Sequence, residues 1–377
     1  MKFSIFKNYL IKHIDIVSKA ISSKTPIPIL SGIKLELNQA GLSITGSNSD
    51  ISIQTFISSD ENDSNLLIEE EGEIVVPARI FYEIIKSLPG KDILITADEK
   101  NMFIEIKSGK SVFKINGNDA NLYPHLSDIT SENQFVLNSQ KLKKLINRVV
   151  FAVSNQEIRP ILTGVHFIIS DEKLTAIATD SHRLAQYSID LEGIKNKKYD
   201  FVLPGKSLIE LSHILNDNIK SITMRIGENQ ILFIIGQTYF YSQLLQGKYP
   251  STVDLIPNSS NIILQVYADK MLLSIERASL MSHAGHNNVV RLVLNKDNAT
   301  LFSNSPEIGN VEENIDFESL NGDDLDISFN PDYMKDALRN LGHVLVNIGF
   351  TAPLRPFLIK IKDDNSYIQL ITPIRTI

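Results

Sequence analysis

Asp180, Ser181 and His182 are the three side chains of a hydrolytic triad standing in a row. A serine nucleophile needs its hydroxyl bonded to an imidazole that a carboxylate orients. Neighbours in an extended segment point to opposite faces, so Ser181 and His182 cannot readily share that bond. No G-x-S-x-G turn surrounds the serine. The chain has no cysteine, which removes thiolate nucleophiles, thiolate zinc sites and disulfides. His283 and His286 share a Gly-containing loop but have no obvious third metal ligand. Asp323, Asp324 and Asp326 lack calcium-loop spacing, and no G-x-x-x-x-G-K-[ST] stretch is present. The side chains for hydrolysis and metal binding are there in the wrong spacing. The expectation is therefore no catalytic residue, no metal and no cofactor.

The elements that carry these residues are written more than once. Ile74-Val75-Val76-Pro77-Ala78-Arg79-Ile80-Phe81 reads as a short strand, a proline and an apolar-periodic helix. The pattern returns at Phe201-Val202-Leu203-Pro204-Gly205-Lys206-Ser207-Leu208 and at Ile327-Ser328-Phe329-Asn330-Pro331-Asp332-Tyr333-Met334. Pro77 to Pro204 is 127 residues, and Pro204 to Asn330 is 126. Pro28-Ile29-Leu30-Ser31-Gly32 recurs as Pro160-Ile161-Leu162-Thr163-Gly164, with a weaker third copy at Asn288-Val289-Val290-Arg291-Leu292. Tyr123-Pro124 recurs as Tyr249-Pro250. Similarity in one order at one period predicts a three-fold repeat. Each copy opens with a helix, at about 8–21, 139–152 and 269–281, and continues with short β-branched strands separated by Gly, Asn and Asp turns. The fold class expected is α+β, in three domains spanning 1–126, 127–254 and 255–377.

The whole chain is acidic, with 37 Lys and Arg against 44 Asp and Glu. The six expected helices reverse that balance, carrying about twice as many basic as acidic residues. Leu142, Leu145, Ile146, Val149, Val150 and Val153 form a core stripe, with Lys141, Lys144 and Arg148 on another face. Lys12 with Lys19, Arg79 with Lys86, Lys270 with Arg277, and Lys335 with Arg339 are spaced to share faces, and Lys206 adds to the set. Basic faces on repeated units would attract phosphates without reading bases. No apolar run reaches the roughly 18–20 residues that span a bilayer. The start of the chain has no secretory h-region. A cytoplasmic protein is expected.

The chain resembles the bacterial DNA polymerase III beta subunit, the sliding-clamp family, over its full length. The resemblance rests on Met1-Lys2-Phe3, Pro28–Gly32, Arg159–Val165, Ala178-Thr179-Asp180-Ser181-His182-Arg183-Leu184-Ala185, Tyr249-Pro250 with Leu255-Ile256-Pro257, and Thr372-Pro373-Ile374-Arg375. It implies a non-catalytic processivity factor of DNA replication: a head-to-tail homodimer closing into a ring, with antiparallel sheets outside and two helices per domain inside. Such a ring slides on duplex DNA without sequence specificity. The implied partners are double-stranded DNA, the replicative polymerase catalytic subunit, an ATP-dependent clamp loader and clamp-motif peptides of repair and replication proteins. By similarity, a partner-peptide pocket would use Leu162, Thr179, Ser181, His182, Arg183, Leu184, Pro250, Leu255, Pro356, Leu370, Thr372, Pro373, Ile374 and Arg375. Lys24 and Gln156 would join the DNA-facing set. The dimer seam would lie near Leu280 and Met281 on one side and Phe103 and Ile106 on the other. Two positions depart from the family pattern: Ser181 stands where many relatives have Gly, and Thr372 where they are often more apolar.

Overall fold

Glycine and tyrosine explain why the repeated motifs look alike. A Cβ on Gly32 would sit 2.5 Å from Val75 Cγ1 and 2.9 Å from the Val76 carbonyl. On Gly164 it would sit 2.6 Å from Val202 Cγ1 and 2.7 Å from the Leu203 carbonyl. Only glycine lets the two strands approach there. Pro28–Ser31 and Pro160–Thr163 each form a 3-10 turn with proline at its start. Leu30 then packs on Val75 and Tyr123, as Leu162 packs on Val202 and Tyr249. The distant P-I-L-x-G and Y-P segments are thus one packing unit, built twice. The weaker third copy has no such 3-10 turn and enters its strand directly at Val290.

The computed structural model describes every residue except 23, 127, 128, 130, 192–197, 286, 376 and 377. His286, and residue 127 at the first expected domain join, lie outside the described residues. The described α-helices are α1 (Lys7–Ser18), α2 (Ala78–Ser87), α3 (Ser139–Val149), α4 (Gly205–Ile214), α5 (Ala268–Ala284) and α6 (Pro331–Arg339). Each repeat supplies two. α3 buries Leu142, Leu145, Ile146 and Val149, the stripe expected from its 3.6-residue period.

Among the described residues the strands fall into four antiparallel sheets, in two compact units. One unit comprises 1–142 and 210–244. It holds a five-stranded sheet, in the order Leu67–Glu70, Lys2–Phe6, Asp92–Asp98, Phe103–Ser108, Ser111–Asn116. It also holds an eight-stranded sheet, in the order Gln134–Asn138, Ser221–Ile226, Gln230–Ile235, Thr238–Gln243, Ile51–Ser58, Gly41–Ser47, Gly32–Asn38, Gly72–Pro77. The other unit comprises 143–209 and 245–377. Its nine-stranded sheet runs Tyr199–Pro204, Gly164–Ser170, Lys173–Thr179, Arg183–Asp190, Asp364–Ile371, Phe357–Ile361, Leu345–Phe350, Ile262–Tyr267, Ser319–Asn321. A four-stranded sheet runs Gly309–Asn314, Asn298–Ser305, Val290–Asn295, Leu325–Phe329.

The two large sheets cross the repeat boundaries. Ile51–Ser58 of the first repeat pairs with Thr238–Gln243 of the second, from Thr55↔Thr238 to Ile51↔Ser242. Arg183–Asp190 of the second pairs with Asp364–Ile371 of the third, from Arg183↔Ile371 to Tyr187↔Tyr367. Pairing satisfies main-chain groups that an edge strand would leave open. Two strands at corresponding places stay open. Ser111–Asn116 closes the first repeat as Thr238–Gln243 and Asp364–Ile371 close the others, yet it is a sheet edge. Gly309–Asn314 corresponds to Ile51–Ser58 and Arg183–Asp190, and it too is an edge.

Candidate functional site

The Thr179–Leu184 stretch is the connection between Lys173–Thr179 and Arg183–Asp190. Asp180 Oδ1 accepts from the backbone N–H of His182 (2.9 Å) and of Arg183 (3.0 Å), an Asx turn that holds the chain reversal. Thr179 Oγ1 donates to the Arg183 carbonyl at 2.6 Å. Ser181 has φ of 79°, in the left-handed region that glycine adopts freely and serine does not. The Asp180 carboxylate is therefore committed to the backbone and to Arg183 Nε (3.0 Å), the wrong partners for a catalytic triad.

Arg183 does something the sequence did not announce. Its Nη1 donates to Asp336 Oδ2 at 2.7 Å and its Nη2 to the Phe151 carbonyl at 2.5 Å. The guanidinium stacks on Tyr333 (4.7 Å) and Phe151 (5.5 Å), and the side chain is only 11% exposed. Arg183 was expected among the pocket residues, and its donors are spent inward, tying the turn to α6. His182 and Ser181 are the exposed members of the turn.

Beneath the turn, Leu184 and Leu370 are buried together with Ile177 and Leu358, and Ile256 packs against them. Leu162 lies in the neighbouring cluster with Val202 and Tyr249. Leu162, Leu184 and Leu370 are at most 5% exposed. The exposed apolar groups are Pro250 and Leu255, the latter in a short 3-10 turn, Val253–Leu255. Pro356, Thr372, Pro373 and Ile374 are half-buried and Arg375 is exposed. The C-terminal segment is pinned on both sides, by Thr372 N–H to the His182 carbonyl (2.9 Å) and Ile374 N–H to the Ser328 carbonyl (2.7 Å). Ile374 also borders an open cavity of about 900 Å³ with Val289, Phe302 and Leu354. Thr179 is buried, and its N–H donates to the Tyr249 hydroxyl at 3.1 Å. Burial pushes the Tyr249 hydroxyl well above the ordinary phenol value and raises that of Tyr333. Both are neutral donors and acceptors at any ordinary pH. His283 lies 3.1 Å from Asp332, and the described residues hold no group of three metal-ligating side chains.

The basic residues divide. Lys12, Lys24, Arg79, Lys86, Lys141, Lys144, Lys206, Lys270, Arg277, Arg339 and the amide Gln156 are exposed, and Lys19 is half-buried. Ser22 Oγ accepts from Lys24 N–H (3.2 Å) and Ser154 Oγ from Gln156 N–H (3.1 Å), so two repeats present these loop residues on the same small turn. Arg148 and Lys335 do not fit the expectation. Arg148 is 7% exposed, its guanidinium lying over Tyr187 (4.6 Å) and Tyr367 (5.3 Å). The Lys335 side chain is largely buried and pairs with Asp332 at 2.7 Å. Helical periodicity gives the face of a residue and not the path of a long side chain, which can fold back on its neighbours. Arg277 is exposed but ion-paired with Glu313, and Arg339 lies 3.4 Å from Asp336.

At the expected seam, Leu280 is 64% exposed and Met281 half-buried. Phe103 is half-buried under Lys114 Nζ, and Ile106 is fully buried in its own unit and cannot reach a partner, which corrects that assignment. The outward apolar groups of this edge are Val112 and Phe113, 55% and 37% exposed, and Leu273 joins Leu280 on the exposed side of α5. Two adjacent outward apolar residues that break strand alternation were the signal available in the sequence.

Three family descriptions match the chain in sequence order. They are the N-terminal, central and C-terminal domains of the DNA polymerase III beta subunit, over residues 1–127, 136–251 and 253–375. The chain belongs to the DNA polymerase III beta subunit family, the beta sliding clamps. It is 45% identical to the beta sliding clamp of Bacillus subtilis and 40% identical to that of Staphylococcus aureus, with each chain covered completely. The crystal structure of the Bacillus subtilis DNA polymerase sliding clamp superposes with a TM-score of 0.97 at 44% identity, both chains covered fully. The beta chain of Streptococcus pneumoniae gives 0.96 at 40%, again over both whole chains. A beta clamp is a replication processivity factor and not an enzyme, which accounts for the unassembled triad. Its family works with DNA, a polymerase and a clamp loader.

Proposed function

We propose that two copies of this chain close head to tail into a ring around duplex DNA, and that the ring tethers the replicative polymerase to its template. The observation that carries this reading is the pair of open edges. Ser111–Asn116 and Gly309–Asn314 occupy the repeat positions that are joined twice within the chain. A third joint of the same kind needs one edge from each of two copies. Val112, Phe113, Leu273 and Leu280 supply apolar surface for it, and the contact is heterologous. Lys12, Lys19, Lys24, Arg79, Lys86, Lys141, Lys144, Gln156, Lys206, Lys270, Arg277 and Arg339 face the phosphates in this reading. The contact is salt-sensitive and indifferent to sequence.

Partners dock an extended peptide against Leu162, Leu184 and Leu370 from above, between Pro250, Leu255, His182 and the Pro356 and Thr372–Arg375 wall. Apolar anchors fill the floor and a polar rim fixes the backbone. The polymerase catalytic subunit, the ATP-dependent loader and repair proteins compete for it in the cytoplasm. The test is retention on DNA. The loaded protein stays on a closed circle and leaves when the circle is cut. Equal retention on circular and linear DNA would end the proposal, as would a scattering mass of one chain at micromolar concentration.

A further inference from the structure

We propose that Asp336 of α6 is a positioning residue for the peptide pocket, acting through Arg183. The inference rests on the peptide-pocket reading above. The turn that carries His182 holds a serine at φ of 79°, a conformation that strains a non-glycine residue and persists only when its surroundings enforce it. Asp180 supplies part of that enforcement, but it belongs to the turn and moves with it. Besides the main-chain bonds of Thr179 and His182 to Tyr249 and Thr372, the Arg183 guanidinium ties the turn to the rest of the fold. It reaches across 153 residues of sequence to Asp336, at 2.7 Å, and caps the Phe151 carbonyl at 2.5 Å. Charge-assisted bonds of this kind are short and directional, and a planar fork holds orientation as well as distance.

The first repeat has the same turn without the anchor. Asn48 Oδ1 accepts from Asp50 N–H (2.8 Å) and Ile51 N–H (2.9 Å), as Asp180 does from His182 and Arg183. Where the second repeat has Arg183, the first has Ile51, a buried core residue. No residue of that turn has positive φ. Of these two turns, the one bordering the pocket is the one with the ion pair to a helix. Its consequence travels two ways: to His182, the exposed neighbour of Arg183, and through the His182 carbonyl to Thr372 N–H, which sets the register of the C-terminal wall.

A double-mutant cycle tests this. A fluorescent peptide from the cognate polymerase catalytic subunit is titrated against the wild type, Asp336→Asn, Asp336→Glu, Arg183→Gln and the Asp336→Asn/Arg183→Gln double variant, with thermal unfolding followed in parallel. Asp336→Asn is expected to weaken the peptide by about 5- to 20-fold, a modest loss because Asp336 acts through Arg183 and does not itself touch the peptide. Asp336→Glu recovers part of the loss, and Asp336→Asn adds little once Arg183 is gone. Additive losses, or wild-type affinity in Asp336→Asn, would overturn the proposal. His182→Ala separates the two readings. If it weakens the peptide while Asp336→Asn does not, only the positioning role fails. If it leaves the affinity unchanged, the pocket is elsewhere and the positioning role falls with it.

Discussion

The joints that the chain closes within itself and the edges it leaves open occupy the same places in the repeat, and they are finished differently. At the first joint Thr55 and Thr238 face each other, both buried, with hydroxyls 3.4 Å apart, and His13 Nδ1 lies 2.7 Å from Thr55 Oγ1. At the second, Tyr187 faces Tyr367 while Arg148 covers both rings, and the Tyr367 hydroxyl donates to the Ala337 carbonyl. The open edge Ser111–Asn116 instead turns Val112 and Phe113 outward, with Lys114 beside them. Strand edges normally carry charge to repel other chains. An edge that keeps two adjacent apolar groups exposed is shaped to be covered. In the proposed ring, the difference teaches that the element covering this edge is a partner strand and not further folding of the same chain.

Putting charge on the open edge should give the largest effect. Val112→Asp with Phe113→Asp is expected to convert the dimer to a monomer at micromolar concentration, a loss of at least about 100-fold in association, while the unfolding midpoint of the chain changes little. Light scattering and circular-DNA retention read both sides. A dimer that survives would mean the open edge is not the seam. The closed joints answer to substitutions in their own side chains. Arg148→Ala removes the cover of the second joint and should cost about 3 kcal/mol in urea unfolding, whereas Arg148→Met, which keeps the volume, should cost about 1 kcal/mol or less. Equal costs would make the charge, and not the packing, the important part.

The first joint carries a pH signature. Burial, opposed by Glu61, holds the His13 imidazole down to about 4. The unfolded chain takes up this proton near pH 6.5 and the folded chain only near 4. His13 therefore contributes full stability above pH 6.5, and this is lost as pH falls towards 4, by roughly 2 kcal/mol for a partly exposed ring. His13→Gln should flatten the stability profile in that window, measured by denaturant midpoints at several pH values. The smallest effect belongs to the mouth of the second joint, where the paired strand starts two residues after Ser181. Ser181→Gly should stabilise the protein by about 1 kcal/mol or less by relieving the left-handed backbone. A loss of stability would mean that the serine hydroxyl matters more than the strain.

Much of the fold was legible because side-chain packing leaves marks in the sequence. Gly32 and Gly164 are forced by close strands, Tyr123 and Tyr249 by the leucines they cover, and the α3 stripe by its buried face. What could not be read lives in the main chain or at long range. The sheets shared between repeats are held by N–H and C=O groups that every residue carries, so no residue type betrays them. Arg183 announces a cation in a turn, and nothing in the sequence between them announces Asp336, 153 positions on, as its carboxylate. Arg148 and Lys335 have the spacing of exposed helix residues, and only coordinates reveal that their heads fold back. Ile106 failed for a simpler reason: it lies one strand in from the open edge and is fully buried, whereas its register partner Phe113 lies on the edge strand and is 37% exposed.

Two unlike open edges also give the chain a valence. In the proposed ring each copy contributes one end of each type, so two copies leave neither free. A copy spoiled only at Ser111–Asn116 keeps its other end alive. Paired with an unaltered copy it makes one seam and leaves the second open, a broken necklace with a single clasp fastened. In a cell carrying both forms, such a chain would act as a terminator, drawing intact subunits into assemblies that can reach DNA and cannot keep it.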